Sequence, residues 1–397
     1  MNDIIFNRGR GGLGRALSGK DHVSGIVLES VVANIPAALT GAGNYQVIYS
    51  VQDAQDLGIQ YDASSANLEI DNLRYTIDRI FDANEKAEVH LLVANTTNSE
   101  TAVAGLITLQ NKAQGEIRQA VVLKPATDFD ASELAPLQAS CDTLEAQHKP
   151  LSVLYACNFM GVSSAAITDL RALDSKNISV VFGMDGNGIG STLAIAYTKS
   201  FTCAGTVLGV LSGSKVSENI GWVGAFNVNK NDINEYDVIK LADGRLFDTI
   251  AISEKDALSV KGYIFLLKHI GLAGSYFNDS YTCISASDDF AFIENNRTID
   301  KAVRNTRTFL LPKLNSPLFV NSNGTLTEDT IASFKNDAER SLEELQRNGE
   351  LSAFSVTIDP DQDVLSTSKV SITIKVVPVG VARNIVVNIG LAVRVSN

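Results

Sequence analysis

Short apolar runs and helical periodicities alternate along most of the chain. Val23 to Val32, Tyr45 to Ser50, Glu88 to Ala94, Gln119 to Lys124, Leu151 to Ala156 and Ile178 to Gly183 read as strands, with Pro125 closing the fourth. The segments between them read as helices: Val51 to Leu57 closed by Gly58, Asn67 to Asn84, Thr101 to Gly115, Ser132 to Lys149 and Ser163 to Ala172. In the second of these, Leu68, Leu73, Ile77, Ile80 and Phe81 recur near helical spacing. Strands and helices alternating in this way predict a mainly parallel sheet with crossover helices. Farther on, Ser191 to Leu211 reads as one small-residue-rich helix and Lys261 to Gly271 as another apolar helix.

The pattern changes after a break at about 285–300, where Asp288-Asp289 and Asn295-Asn296 interrupt the apolar positions. Thr327 is placed to N-cap a helix running to about Asn348, with Glu328 and Asp329 in its first turn and Gly349 as its stop. Ile331, Phe334, Ala338, Leu342 and Leu345 form its apolar stripe. Lys335, Glu339, Arg340, Glu343 and Arg347 fall on its other faces. Three alternating runs follow. They are Phe354 to Ile358, Val370 to Val376, and Ile385, Val387, Ile389, Leu391, Val393 and Val395. The expected class is α/β (α+β overall) and multidomain, with α/β sheet domains and a C-terminal helix-and-sheet domain.

The two ends stand apart. Ile4, Ile5 and Phe6 make a short β-prone run, followed by a tether with Gly9, Gly11, Gly12 and Gly14 and with Arg8, Arg10 and Arg15. A sticky strand on a flexible hinge suggests an arm that pairs elsewhere. The same features fit a disordered terminus.

Composition narrows the function. The chain of 397 residues has 33 basic and 45 acidic side chains, a balance that argues against a general nucleic-acid surface. No apolar stretch approaches the roughly 18 residues of a spanning helix, and the N-terminus has no apolar core of a secretory signal. Cys141, Cys157, Cys203 and Cys283 are far apart and read as buried, reduced thiols in a cytosolic protein. His22, His90, His148 and His269 share no motif, and neither HExxH, GxSxG nor a P-loop occurs. One loop invites a chemical reading. Strand Ile178 to Gly183 leads into Met184-Asp185-Gly186-Asn187-Gly188-Ile189-Gly190-Ser191, which could cradle a phosphate at a helix N-terminus. It lacks the acidic ribose partner about twenty residues later, and a tight turn fits as well. Asp359-Pro360-Asp361-Gln362-Asp363 resembles calcium ligands only loosely and lacks the EF-hand glycine and glutamate. No catalytic residue, metal site or cofactor is assigned.

The order of several motifs resembles the contractile tail sheath proteins of phages and their relatives in contractile injection systems. Val47-Ile48-Tyr49-Ser50-Val51-Gln52-Asp53-Ala54 with Leu57-Gly58, and Tyr75 to Asp82 followed by Val89 to Ala94, are similar to early sheath units. Glu218 to Trp222, Lys261 to Phe265 and Gly274 to Asp279 resemble a divergent phage and prophage branch. Arg297 to Ala302 resembles the opening of the C-terminal sheath domain, and Pro378 to Ala382 with Ile385 to Ile389 resembles the closing strand.

The resemblance implies a structural subunit, not an enzyme, that polymerises helically around a tail tube and contracts to drive it through a target envelope. It implies stacked, hexameric rings of this chain, with tail tube, baseplate and tail terminator proteins as partners, no direct nucleic acid and no membrane insertion. The location implied is a virion tail assembled in a bacterial cytoplasm. The implied plan is an arm and linker over 1–20, an α/β domain over 21–125, a second α/β region over 126–290, a tube-proximal domain over 291–383 and a strand arm over 384–397. Strand exchange between subunits would use Ile4, Ile5 and Phe6 at one end and Ile385, Val387, Ile389, Leu391 and Val393 at the other. Gly9, Gly11, Gly12 and Gly14 would be the hinge, and Lys335, Glu339, Arg340, Glu343 and Arg347 the tube contact. Two other readings are a nucleotide-binding α/β enzyme using the Gly186 to Gly190 loop, and another self-assembling phage protein of a baseplate or capsid.

Overall fold

Local chemistry fixes several element boundaries. Ser50, Asn67, Thr101 and Thr327 each accept a backbone N–H three residues on, so each opens its helix with an oxygen cap. The computed structural model describes residues 20–61, 67–164, 166–229 and 235–391. It separates into two units, Met1–Arg307 and Thr308–Asn397.

The first unit is built on a mixed, mostly parallel sheet. Its elements begin β1 (Val23–Ser30), α1 (Ala37–Gly41), β2 (Tyr45–Ile48), α2 (Val51–Asp56), α3 (Leu68–Ala83) and β3 (Glu88–Asn95). They continue through α4 (Ala102–Lys112), β4 (Gln119–Asp128), α5 (Leu134–Ala146), β5 (Ser152–Asn158), β6 (Ile178–Val181) and β7 (Gly183–Asp185). Then follow α6 (Ile189–Tyr197), α7 (Ala204–Gly213), β8 (Ile239–Leu241), α8 (Ile252–Val260), β9 (Tyr263–Ile264), β10 (Leu266–Leu267) and β11 (Tyr276–Phe277). Helix α9 (Ile293–Leu310) ends the unit and runs three residues past it.

Seven strands pair in the order β2-β3-β1-β4-β5-β6-β9. Only β2 runs antiparallel to its neighbour. β1 lies in the interior of this sheet, and Val23, Ile26, Val27 and Leu28 are fully buried, as expected of a parallel strand covered on both faces. α4 packs on the face that carries Gly25 and Val27, where its own Gly105 lets it approach. α3 and α7 pack on each other and on β1 and β4.

The second unit has a simpler plan. α10 (Glu328–Arg347) packs on a hairpin of β12 (Leu351–Ile358) and β13 (Ile372–Pro378), with α11 (Val364–Thr367) in the connection. Asn348 caps α10, and Gly349 follows at φ +73°.

The α/β class stands, and several elements differ from expectation. Ser163 to Ala172 is not a helix: among its described residues only a single 3-10 turn forms, Leu170–Ala172, opened by the Asp169 carboxylate, which accepts the Arg171 amide. Ser191 to Leu211 divides into α6 and α7. Thr198 turns left-handed at φ +54°, and the chain doubles back so that Phe201 packs edge-on against Tyr75. Lys261 to Gly271 is not a helix either. The helix precedes it as α8, Gly262 at φ +87° ends the turn, and Tyr263-Ile264 pairs with β6 as the last strand of the sheet. Such short apolar runs do not distinguish strand from helix by periodicity. Ile178 to Gly183 splits after Val181: β6 stays in the main sheet, while β7 leaves to pair with β8. β4 continues past Pro125 to Asp128, and the proline sits where the β4–β5 register shifts. The third alternating run forms no strand among its described residues, 385–391, and no described strand pairs with it.

Candidate assembly surfaces

The glycine loop is already occupied by the protein itself. β7 delivers Asp185 beneath the N-terminus of α6. Its Oδ1 accepts from the Gly188 amide at 3.2 Å and the Ser191 amide at 2.7 Å. Its Oδ2 accepts from the Gly190 amide at 3.0 Å and the Tyr75 hydroxyl at 3.0 Å. Asp185 is fully buried, and burial pushes its carboxyl above the ordinary range despite those donors. A Cβ on Gly190 would lie 2.5 Å from Asp185 Oδ2 and 2.7 Å from the Tyr75 ring. The N–H groups that would cradle a phosphate are thus spent on an internal carboxylate, and the loop is a structural turn. Asp185→Ala is expected to lower stability by about 2 kcal/mol, read from urea denaturation, because it strands buried donors. Nucleotides are expected to leave the melting temperature of the unmodified chain unchanged, since a ligand of the native state would raise it.

The other chemical candidates are also structural. His90 Nδ1 and the Tyr45 hydroxyl share a hydrogen bond at 2.8 Å, and His90 Nε2 lies 3.0 Å from Glu88. His148 takes a left-handed backbone at φ +62° after α5. All four cysteines are free and buried, and burial pushes the Cys283 thiol up to about 12, away from reactivity. In the acidic turn, Asp359 accepts the Asp361 amide and Asp363 caps α11. No cluster of metal-ligand type occurs among the described residues. A cavity of about 180 Å³ beside α3 and α7 holds Arg79, which is neutralised by Asp82 at 2.8 Å and Glu235 at 3.1 Å.

Unit 2 exposes a different kind of surface. β12 and β13 pair only with each other among the described residues, so both outer edges of this small sheet are open. Open edges carry unpaired N–H and C=O groups. After Pro378 the chain runs on without strand pairing. Ile385, Val386, Val387, Ile389 and Leu391 all stand exposed, Ile389 at 91%. A run of large apolar residues exposed on both sides is not stable as a lone solvated surface. Val393 of this run lies outside the described residues, as do Ile4, Ile5, Phe6 and Gly9, Gly11, Gly12 and Gly14 of the N-terminal segment.

α10 presents the charged residues as its pattern suggests. Ala338, Leu342 and Leu345 are buried, with Thr330 and Ser341 completing that side, whereas Ile331 and Phe334 are half-buried. Lys335, Glu339, Glu343 and Arg347 follow one another at four-residue spacing and so line one ridge, with Arg340 beside it. Lys335 and Glu339 pair at 3.7 Å, while Arg340, Glu343 and Arg347 are exposed. Sequence reasoning missed Asp185 as the latch of the glycine loop. Its partner Tyr75 lies 110 positions away, so only the fold brings them together.

The whole chain has solved counterparts. It superposes on the helical sheath of the anti-feeding prophage in its contracted state with a TM-score of 0.63 at 16% identity, covering 98% of each chain. Its TM-score with the sheath of an extracellular contractile injection system, PVC, in its contracted state is 0.62 at 13% identity, covering 99% of this chain and 98% of that one. A sheath tail protein of Desulfitobacterium hafniense matches with a TM-score of 0.50 at 11% identity, over 95% of this chain and all of that one. No curated protein matches the sequence. The fold is therefore that of contractile sheath proteins. Family models for the N-terminal domain of DUF2586, over residues 1–281, and for its C-terminal domain, over residues 289–396, together take in nearly the whole chain, which belongs to the DUF2586 family.

Proposed function

We propose that this chain is the structural subunit of a contractile tail sheath, polymerising helically around a tail tube and shortening to drive the tube through a target envelope. The observation that carries this reading is the end-to-end superposition on helical sheath subunits, with neither chain left with a large unmatched domain. The glycine loop closed by Asp185 removes the motif on which a nucleotide-binding enzyme would rest.

In this reading the terminal segments link neighbouring copies. The open edges of the β12–β13 hairpin suit an added strand, which gains main-chain hydrogen bonds. Each such bond nets roughly 0.5–1.5 kcal/mol, about what ordering a residue costs. The margin comes from apolar side chains. Ile4, Ile5 and Phe6, or Ile385, Val387, Ile389, Leu391 and Val393, would each add roughly 1.5–3 kcal/mol on full burial. Charge helps too. Residues 1–19 hold three arginines and one aspartate, and residues 379–397 hold two arginines and no acid, in a chain of net charge −12. Gly9, Gly11, Gly12 and Gly14 would let linked subunits turn without parting. The copies would form stacked, hexameric rings between a baseplate and a tail terminator, in a particle tail built in the bacterial cytoplasm.

The charged ridge of α10 would face the tube through weak contacts that can release. Reversing Lys335 and Arg340 to glutamate is expected to reduce co-purification of the tube protein severalfold while sheath-only polymer still forms. Unchanged co-purification would place the tube contact on another surface. The central test is electron microscopy of the chain co-expressed with its tube protein. Hollow striated tubes are expected; discrete rings or shells would point to a baseplate or capsid component instead.

A further inference from the structure

The cavity of about 180 Å³ beside α3 and α7 carries an unbalanced charge. Ala83, Val210, Phe226 and Val228 give it apolar sides, and exposed Gly213 and Ala225 stand on its rim. The Arg79 guanidinium lies 2.8 Å from Asp82 Oδ2 and 3.1 Å from Glu235 Oε1, and its carbon is 5.6 Å from the centre of the Tyr75 ring. Farther back on α3, Arg74 pairs with Asp78 at 2.9 Å. Three carboxylates thus meet two guanidinium groups.

Asp82 is the acid a visitor would meet first. Its side chain is 37% exposed, whereas that of Arg79 is only 8% exposed. Asp82 holds Arg79 through Oδ2, and its Oδ1 has no hydrogen-bond partner among the described residues. Burial pushes the Asp82 carboxyl above its ordinary range, and Asp78 and Glu235 add to this while Arg79 opposes it. The wall therefore favours one more cation. Apolar sides with a carboxylate at the mouth suit an arginine, whose stem is apolar and whose planar head pairs with carboxylates.

The chain supplies such a group close by. Residues 1–19, outside the described structure, contain Arg8, Arg10 and Arg15 against a single acid, Asp3. Helix α9 relates the root of this segment to the cavity. Lys301 Nζ lies 2.7 Å from Asp21 Oδ2. Arg297, four positions earlier, donates to the Leu211 carbonyl at 2.7 Å and the Ser214 hydroxyl at 3.0 Å, on either side of Gly213. Four positions are about 6 Å of helix, so with two side chains Asp21 lies within roughly 20 Å of the rim. The five residues from Lys20 back to Arg15 can span about 17 Å, and the ten back to Arg10 about 33 Å.

We propose that this cavity is a docking site for the chain's own N-terminal segment, which places the side chain of Arg15 or Arg10 against Asp82. The docking belongs to the single chain and does not rest on the sheath reading. It would fix the point from which the segment leaves the subunit, with Ile4, Ile5 and Phe6 lying beyond it for a neighbour.

Carbodiimide coupling of the full-length chain, kept dilute and monomeric, tests the docking. In R15K or R10K the introduced amine should form an amide with the Asp82 carboxyl, the carbodiimide taking up the water as a urea, and mass spectrometry of the digest identifies the link. Lys20 and Glu116, already paired in the structure, give the control link in the same sample. No Asp82 link in either variant beside an intact control link would overturn the proposal. A mixture of unlabelled and 15N-labelled chains should give same-isotope links only. Mixed-isotope links would mean that a neighbour's segment fills the cavity, which overturns docking within one chain. Trypsin gives an independent reading without new amines. It should cut after Arg10 and Arg15 about fivefold faster in D82N than in the unmodified chain, a modest factor suited to a partly exposed ion pair. D82E, which keeps the charge, should stay slow. Equal rates in all three would overturn the role of Asp82.

Discussion

A chain lacking residues 1–15 is expected to fold and yet to form no tubes. The described part of the core has partners of its own. β1 starts at Val23 and is flanked by β3 and β4, and the Asp21–Lys301 and Lys20–Glu116 pairs remain in place. The melting temperature of the truncated monomer should therefore match that of the full chain within a degree or two. Polymerisation is another matter, because the deletion removes Ile4, Ile5 and Phe6, whose burial on a neighbour would supply most of the margin over the ordering cost. At about 1.5–3 kcal/mol for each side chain, the loss of three weakens each contact by several orders of magnitude. Negative-stain microscopy with the tube protein present reads the result directly, and normal tubes would refute the arm model. Removing residues 384–397 should have the same outcome. β13 ends at Pro378, and the described side chains beyond it are mostly exposed.

Substituting either of two glycines in α7 should strike the fold itself. α7 and α3 approach so closely that a Cβ on Gly205 would sit 2.4 Å from the Thr76 carbonyl oxygen, and one on Gly209 would sit 2.6 Å from that of Ile80. Both obstacles are backbone atoms of a helix, which cannot swing aside as a side chain can. Neither glycine is needed for its backbone angles, so helix propensity alone would favour alanine by about 1 kcal/mol. The contact reverses that preference. Gly205→Val and Gly209→Val should each cost about 3 kcal/mol or more, the upper end of overpacking. A shifted urea midpoint at unchanged slope would show it. If the valine variants were as stable as the unmodified chain, α3 and α7 would have to sit farther apart than described. Arg79, on the α3 side of this contact, anchors Glu235 and so ties the helix pair to the region ahead of β8.

Much of the architecture was legible in the chain. The strands from β1 to β6, the helices from α2 to α5, and α10 with Thr327 as its cap all follow from apolar spacing and from capping side chains a few positions away. Those signals are local, and the physics behind them is local too: side-chain direction, cap geometry and the absence of a Cβ at a left-handed turn. Reading failed where a decision depended on a distant partner. Tyr263-Ile264 became a strand because β6 offered an edge. Thr198 broke a helix because Phe201 had Tyr75 to pack against. The glycine loop lost its phosphate reading because Asp185 and Tyr75 meet there, although the sequence shows the same glycines either way.

The alternating run from Ile385 states the division most clearly. Its two-residue period is written in the sequence, but a strand needs a partner, and no described strand pairs with it. The sequence by itself determined which segments can form helices and strands, where they stop, and that the ends are cationic and rich in apolar residues. Only the tertiary structure decided which strands pair, that α9 reaches back to Asp21, and that the apolar C-terminal run stays exposed. Hydrogen bonds along a helix close within a few residues, whereas sheet edges, ion pairs and packed glycines need partners brought together across the chain.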